Sequence, residues 1–418
     1  MKTPLIMVIA GSRWQIPILK KIRAKGYRSV VVNLYQDSPA FAYADFSEVA
    51  DILDRNLCLN IARKYDIDAV LSEECDIAMP TVAYIAESLS LPSIGMKNAE
   101  LYTNKSQMRL FSELNGLPSP PSKKCSSIEE AKSFYHDIGG TMIMKPLDSN
   151  SSRGVYTISS IASIVDSFEK SLSFSKQEKQ VILERYIRGC EFTVDGIVIN
   201  GAHKTLAISE KKHYDFNENI AYELYFSRVN PQYDYEYLSA TNDAFVNASC
   251  LADGTLTHAE YKYENGKFWL IEIAARGGGN MISSDIVPLM SGYDNYHALI
   301  CSALGKPVTL PQLKEVPEGR CAVLRFFDTD FESGVVKEIQ GEEVLKHSPL
   351  VHHYEFNFKP GDFIKKAEND AARIGFYIAY ADSDHELRTL MAEIDEKVRI
   401  IPAGNVELGQ NNEYDDER

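Results

Sequence analysis

Short β-branched runs alternate with helical patterns over the first hundred residues: Leu5 to Ala10, Gln15 to Lys25, then Ser29 to Leu34, with Ala69 to Ser72 and Ser93 to Gly95 as later strand candidates. Such alternation predicts a parallel sheet wrapped by helices. The Pro-rich stretch Gly116 to Ser122 then interrupts the chain. A smaller α+β pattern follows it, with strands near Met142 to Lys145, Val155 to Ile158 and Val181 to Leu183. Antiparallel strands are expected over Glu191 to Ile199 and Thr255 to Ile273, the second stretch turning at Glu264-Asn265-Gly266-Lys267. After Pro307 to Pro311 a further βα-rich unit runs to about Pro402. The fold class is therefore α/β and α+β multidomain. The expected units are 1–100, 101–310 with a small subdomain at about 120–187, 311–402, and an acidic, disordered tail at 403–418.

At 418 residues the chain is longer than one hydrophobic core usually organises, which agrees with several compact units. No stretch approaches the ~18 uncharged apolar residues needed to span a bilayer. The apolar opening Leu5 to Ala10 is too short for a signal peptide, so a cytoplasmic location is expected. Seven cysteines are scattered singly without a Cys-x-x-Cys pair and read as reduced thiols. A net charge of −15 argues against general nucleic-acid binding but leaves room for a nucleotide in a locally basic cleft.

Four separated features carry candidate chemistry. Lys105 opens a helix in Asn104-Lys105-Ser106-Gln107-Met108-Arg109, and Lys145 closes the apolar strand Ile143-Met144-Lys145. A buried ammonium needs an anion, and a polyphosphate would serve. Next, Asp148 to Val155 is a small-residue loop containing Ser151, Ser152, Arg153 and Gly154; it is either an ordinary Ser-rich loop or a lid over phosphates. Third, an apolar strand leads through Glu184-Arg185-Tyr186-Ile187 to Gly189-x-Glu191. Its extended backbone suits an adenine edge and Glu191 suits ribose hydroxyls, with a strand bearing exposed acidic ends as the alternative. Fourth, Glu260 and Glu272 lie on the two strands of the expected hairpin, where paired carboxylates form a hard oxygen site for Mg²⁺.

Other positions are more ambiguous. Arg276, before Gly277-Gly278-Gly279-Asn280, offers a guanidinium to a carboxylate or acyl phosphate, with a structural salt bridge as the alternative. His213 is a candidate substrate contact or base, or else a surface histidine. Gly11-Ser12-Arg13 reads as a strand-to-helix turn or a ligand loop, and Glu73-Glu74-x-Asp76 as a ligand-facing or a solvated acidic loop.

Together these motifs resemble the ATP-grasp superfamily, in particular carboxylate–amine ligases similar to bacterial L-amino-acid ligases. Biotin carboxylase and carbamoyl-phosphate synthase are more distant relatives. The resemblance covers nearly the whole chain, and Gly319 to Gly341 resembles the C-terminal module of the amino-acid ligase branch. It implies an ATP-grasp fold behind an N-terminal parallel-sheet pre-ATP-grasp domain. Lys105 and Lys145 would hold ATP phosphates under the Ser151 to Gly154 loop, with Glu184, Arg185, Tyr186 and Ile187 framing adenine. Glu191 would bind ribose, and Glu260 and Glu272 would bind Mg²⁺, with Mn²⁺ as a substitute. Arg276, Glu272 and Lys145 would carry catalysis, and Arg276, Gly277, Gly278 and His213 would face substrate. The implied reaction is ADP-forming C–N ligation of small carboxylates and amines through an acyl phosphate. No nucleic-acid or membrane partner is expected, and a homodimer is the default oligomer.

Two departures from the family pattern stand out: the lid is poorer in glycine than usual, and Ala274 stands where asparagine is common. They motivate the rival of a non-catalytic ATP-binding sensor. A bicarbonate-using carboxylase or carbamoyl-forming ligase is the other rival, and a nicotinamide oxidoreductase is disfavoured by the missing glycine fingerprint.

Overall fold

The computed structural model describes residues 2–147, 154–175, 179–367, 369 and 372–403. Its N-terminal sheet has four parallel strands, in the order Phe46–Val49, Arg28–Asn33, Leu5–Ile9, Ala69–Leu71. Every residue of Leu5–Ile9 is buried because helices cover both faces: Ile6 and Val8 enter one core cluster, and Leu5, Met7 and Ile9 another. A parallel strand buried on both faces has to be apolar throughout, which is the run seen in the sequence. The carboxyl ends of these strands deliver Gly11 to Trp14 and Glu73 to Asp76 to one edge of the unit, the edge where ligands gather in such sheets.

Ser93 to Gly95 is not a strand. The Ser93 hydroxyl accepts from the Gly95 N–H, Gly95 has φ +77°, and the chain turns directly into the helix Gly95–Leu101. The apolar run is too short to hold a pleat against that local turn.

A second sheet of four strands, Ser122–Cys125, Val181–Arg185, Met142–Pro146 and Tyr156–Ile158 in spatial order, carries the helices Ile128–Ile138 and Ile161–Ser173 on its own small core. The largest sheet is antiparallel and has eight strands. Lys267–Ala274, Leu256–Glu264, Glu191–Ile199, Ala202–Tyr214 and Asn217–Ser227 continue without a break into Cys321–Phe326, Gly375–Ala381 and Val351–Phe356. The division expected between 310 and 311 is thus bridged by hydrogen bonds from Asn217–Ser227 to Cys321–Phe326. Asn265 and Gly266 both take positive φ, 52° and 79°, as a two-residue hairpin turn demands.

Within the described residues no helix is long and apolar enough to cross a membrane, and all seven cysteines are free. The tail from 404 to 418 and the lid residues Ser151, Ser152 and Arg153 lie outside the described residues.

Candidate active site

A cleft of about 620 Å³ opens between the three units. One wall is the small sheet with Lys145 and the segment Glu184 to Ile187; the floor is the large sheet, and Glu74, Asp76, Arg13 and Trp14 close the far end.

The strand register explains how the floor is built, because cross-strand partners point to the same face and so do alternate residues along a strand. Three consecutive rows result. Lys211, Glu191 and Lys262 form the first. Ser209, Thr193, Glu260 and Glu272 form the second, and Ala207, Asp195, His258 and Ala274 the third. Two residues along the hairpin from Ala274 stands Arg276.

In the first row Lys211 Nζ lies 2.8 Å from Glu191 and 2.5 Å from Glu260, with His213 Nε2 at 3.5 Å and Lys262 Nζ at 3.8 Å from Glu191. Burial opposes the Glu191 charge, but Lys211, His213 and Lys262 outweigh it and hold the carboxyl at about 2. Glu191, expected at the ribose, is thus an ionised and tightly anchored acceptor. His213 lines the cleft beside it rather than standing on the outer surface, and burial lowers its basicity.

Glu260 and Glu272 are direct cross-strand partners, with side chains 28% and 37% exposed, so an ion can reach both. Among the described residues no three His, Cys, Asp or Glu side chains form a metal cage. The pair fits Mg²⁺, which commonly takes one or two carboxylates and completes its shell with phosphate oxygens and water. Ala274 supplies no ligand, whereas Asn280, with φ 54°, does line the cleft.

The two expected phosphate lysines converge from different units. Asn104 caps the helix that Lys105 opens, and Lys105 Nζ reaches Glu272 Oε1 at 2.8 Å. Lys145 Nζ and Arg109 Nε each lie 2.7 Å from Glu184, all three being buried. Burial works against the Glu184 charge, yet Arg109 and Lys145 pull that carboxyl down to about 2. Burial lowers Lys145 itself, and although Glu184 opposes this, Arg109 and Lys105 add to the shift. The Glu184 side chain is therefore an internal counter-ion. Arg185 likewise pairs with Glu264 at 2.7 Å, Tyr186 donates to Glu218, and Ile187 is buried, while the Arg185 and Tyr186 backbone N–H groups are spent on the Pro121 and Thr141 carbonyls. Gly154, the described end of the lid, has φ +74°; a Cβ there would sit 2.8 Å from Phe174 and 2.9 Å from Pro146.

At the far end of the cleft Arg276 grips Asp76 with Nε at 2.9 Å and Nη2 at 2.5 Å, while Nη1 donates to the Gly277 carbonyl. The salt-bridge alternative is thus present. Of five guanidinium N–H groups three are engaged in these bonds, leaving one on each terminal nitrogen. Gly277 and Gly278 do not line the cleft. The Gly277 N–H is spent on the Glu73 carbonyl, and a Cβ on Gly278 would fall 2.7 Å from Asp195 Oδ1; Gly279 and Asn280 face the space instead.

The acidic loop is split between core and cleft: Glu73 is buried, and Glu74 and Asp76 are half-buried at the cleft. Glu73 is fully buried with no hydrogen bond to its carboxyl oxygens among the described residues, and burial pushes it up to about 8. Glu74 is raised as well, by burial and by Glu73, and accepts from the Tyr296 hydroxyl. Gly11-Ser12-Arg13 is a capped turn in which Ser12 and Gln15 form a capping box. It also sends Arg13 across to Glu355 at 2.6 Å and Asn357 at 2.8 Å, joining the N-terminal unit to the C-terminal strands at the cleft.

Arg109, Lys211, Lys262, Asp195 and His258 escaped the sequence reading. Their partners are remote in sequence, and only the Lys-Lys-His run at 211–213 gave a local signal.

Two stretches of the chain match known protein families. Residues 138–285 match the ATP-grasp domain, and residues 330–401 match the L-amino acid ligase C-terminal domain 2. An alanine–anticapsin ligase of Bacillus subtilis is 25% identical over 317 residues, covering 69% of this chain and 65% of that one. A formate-dependent phosphoribosylglycinamide formyltransferase of Chlorobaculum tepidum is 28% identical over 189 residues, and that match spans 44% of this chain and about half (47%) of the relative. Among solved structures, the L-amino acid ligase from Bacillus licheniformis superposes with a TM-score of 0.80 at 19% identity, covering 97% of this chain and all (100%) of that one. At these identities the superposition speaks for the fold. The chain thus carries an ATP-grasp domain followed by an L-amino acid ligase C-terminal domain 2, on a fold it shares with a solved L-amino acid ligase.

Proposed function

We propose that this protein uses ATP to activate a small carboxylate as an acyl phosphate and joins it to an amine, releasing ADP and phosphate. The observation that carries the reading is the ordered floor of the cleft: anchored Glu191, then the Glu260–Glu272 pair, then Arg276 with Asp76 and Glu74. A nucleotide laid along these rows puts its γ-phosphate between the lysines and the substrate end.

In the first step a carboxylate oxygen attacks the γ-phosphorus and ADP departs with the bridging oxygen. In the second the amine nitrogen attacks the acyl carbon, a C–N bond forms, and phosphate leaves with the C–O bonding pair and takes up the proton that nitrogen sheds. Lys105 and Lys145 hold the transferring phosphoryl group, so catalysis is positional and electrostatic. Glu260 and Glu272 would hold Mg²⁺, or Mn²⁺ through the same oxygen donors, which when bound neutralises charge on the phosphates. Ser151, Ser152, Arg153 and Gly154 would cover them.

Arg276 beside Asp76 offers both signs of charge, which suits the carboxylate and ammonium of an amino acid. The name of the Bacillus subtilis relative, an alanine–anticapsin ligase, supports the same class. The setting this implies is a cytoplasmic enzyme acting on small molecules. The test is ADP and phosphate release with ATP and Mg²⁺ across pools of amino acids, other small acids and bicarbonate. Release dependent on an organic acid supports the ligase; stimulation by bicarbonate alone would replace it with a carboxylase, and nucleotide binding without release in any pool with a sensor.

A further inference from the structure

The third row of the floor has no role in the scheme above. We infer that His258, oriented by Asp195, is the hydrogen-bond acceptor that positions the incoming amine beside the acyl phosphate, an inference that rests on the ligase reading. His258 and Asp195 are cross-strand neighbours, and Asp195 Oδ1 lies 2.9 Å from His258 Nδ1. Asp195 is 1% exposed, and its carboxyl oxygen accepts the hydrogen bond that the Nδ1 N–H donates. In the neutral ring this leaves Nε2 as a lone-pair acceptor. No partner for Nε2 is found among the described residues, and the side chain lines the cleft.

Position decides what that acceptor meets. His258 stands two residues from Glu260 along one strand, about 7 Å further from the nucleotide rows, toward the end where Arg276 and Glu74 lie. That is where an acyl carbon held by Arg276 would face its nucleophile. The cross-strand neighbour on the other side is Ala274, whose methyl group leaves the imidazole uncovered where a longer side chain would stand over it. The glycine loop beneath is fitted to the pair: a Cβ on Gly278 would lie 2.7 Å from Asp195 Oδ1 and 2.9 Å from His258 Nδ1. A second histidine–aspartate pair in the same sheet makes the contrast. His203 bonds Asp243 through Nδ1 at 2.5 Å and Thr257 through Nε2 at 2.7 Å, so both nitrogens are used inside the protein. His258 keeps one nitrogen for the cleft.

Hydroxylamine separates activation from amine positioning, because a small, strong nucleophile captures an acyl phosphate without needing to be oriented. Wild type, His258→Ala and His258→Asn are compared with ATP, Mg²⁺ and the twenty proteinogenic amino acids as both acids and amines. Hydroxamate is measured with hydroxylamine present and dipeptide without it. The expected result for His258→Ala is a loss of dipeptide at least ~10-fold greater than the loss of hydroxamate, with a raised KM for the amine. The asparagine variant, which keeps an acceptor oxygen, recovers part of the dipeptide. Equal losses of both products in His258→Ala and His258→Asn would overturn the inference in favour of a structural role, as would unchanged dipeptide formation. Wild type that yields neither product nor acid-dependent ADP would instead defeat the ligase reading, and this inference with it.

Discussion

Glu260 and Glu272 face each other directly across the hairpin, yet each carboxylate is paired with a different lysine: Lys211 at 2.5 Å for Glu260 and Lys105 at 2.8 Å for Glu272. Opposed carboxylates in a sheet repel. The lysines offset that repulsion and keep the oxygens poised for a cation. Replacing Glu272 with Gln should therefore lower turnover at saturating Mg²⁺ by at least ~100-fold, the scale of losing one transition-state electrostatic contact. ADP release titrated with Mg²⁺ checks this; a variant that regains full rate at high Mg²⁺ would show that Glu272 only tunes affinity.

Glu184 neutralises two buried cations. Glu184→Gln leaves Arg109 and Lys145 with less compensation, and a loss of ~3–5 kcal/mol of stability is expected. Because Lys145 faces the cleft, a non-hydrolysable ATP analogue should restore part of the lost melting temperature. The pH signature follows from the direction of the shift. The folded carboxyl sits at about 2 against an ordinary 4.5, so its contribution is fully present above pH ~4.5 and fades as pH falls toward 2. Acid melts of wild type and variant should converge over that interval.

Glu73 has the opposite sign. Burial raises it from 4.5 to about 8, so the folded state favours the protonated form. Stability is lost as pH rises from ~4.5 through 8, by an amount on the order of a few kcal/mol. Glu73→Gln removes the titration, and the variant should be the more stable protein at pH 8, with the gap closing near pH 4.5. Parallel melting curves across this range would contradict the assignment.

Arg276 grips Asp76 through two nitrogens, a geometry that lysine cannot reproduce. Arg276→Lys should raise the KM for the activated acid ~10-fold or more while leaving ATP affinity near wild type. Equal effects on both would place Arg276 in nucleotide binding rather than at the acid.

Local patterns made much of this legible. The all-apolar run Leu5 to Ala10 gave a doubly covered parallel strand, and Asn265-Gly266 gave the hairpin turn that brings Glu260 opposite Glu272. Lys145 stood out because an ammonium closes a buried strand. What stayed hidden depends on register between distant strands. Asp195 and His258 are 63 residues apart, and Arg109 and Glu184 are 75 apart, so neither pair leaves a trace in any window of sequence. The burial of Glu73 was equally invisible, since an acidic dipeptide after a strand ordinarily marks solvent, and here Glu73 lies under the glycine loop while Glu74 meets the Tyr296 hydroxyl at the cleft. Ser93 to Gly95 misled for the converse reason: three residues with strand character yielded to one serine-capped turn.

The central claim is that a carboxylate is phosphorylated before the C–N bond forms. Amino acids labelled with ¹⁸O in both carboxylate oxygens, supplied with ATP, Mg²⁺ and the purified protein, test it most directly by mass analysis of the phosphate released. The account predicts one ¹⁸O in each phosphate formed, since the carboxylate oxygen that attacks the γ-phosphorus leaves with it. Phosphate that forms in step with product but carries no label would contradict it.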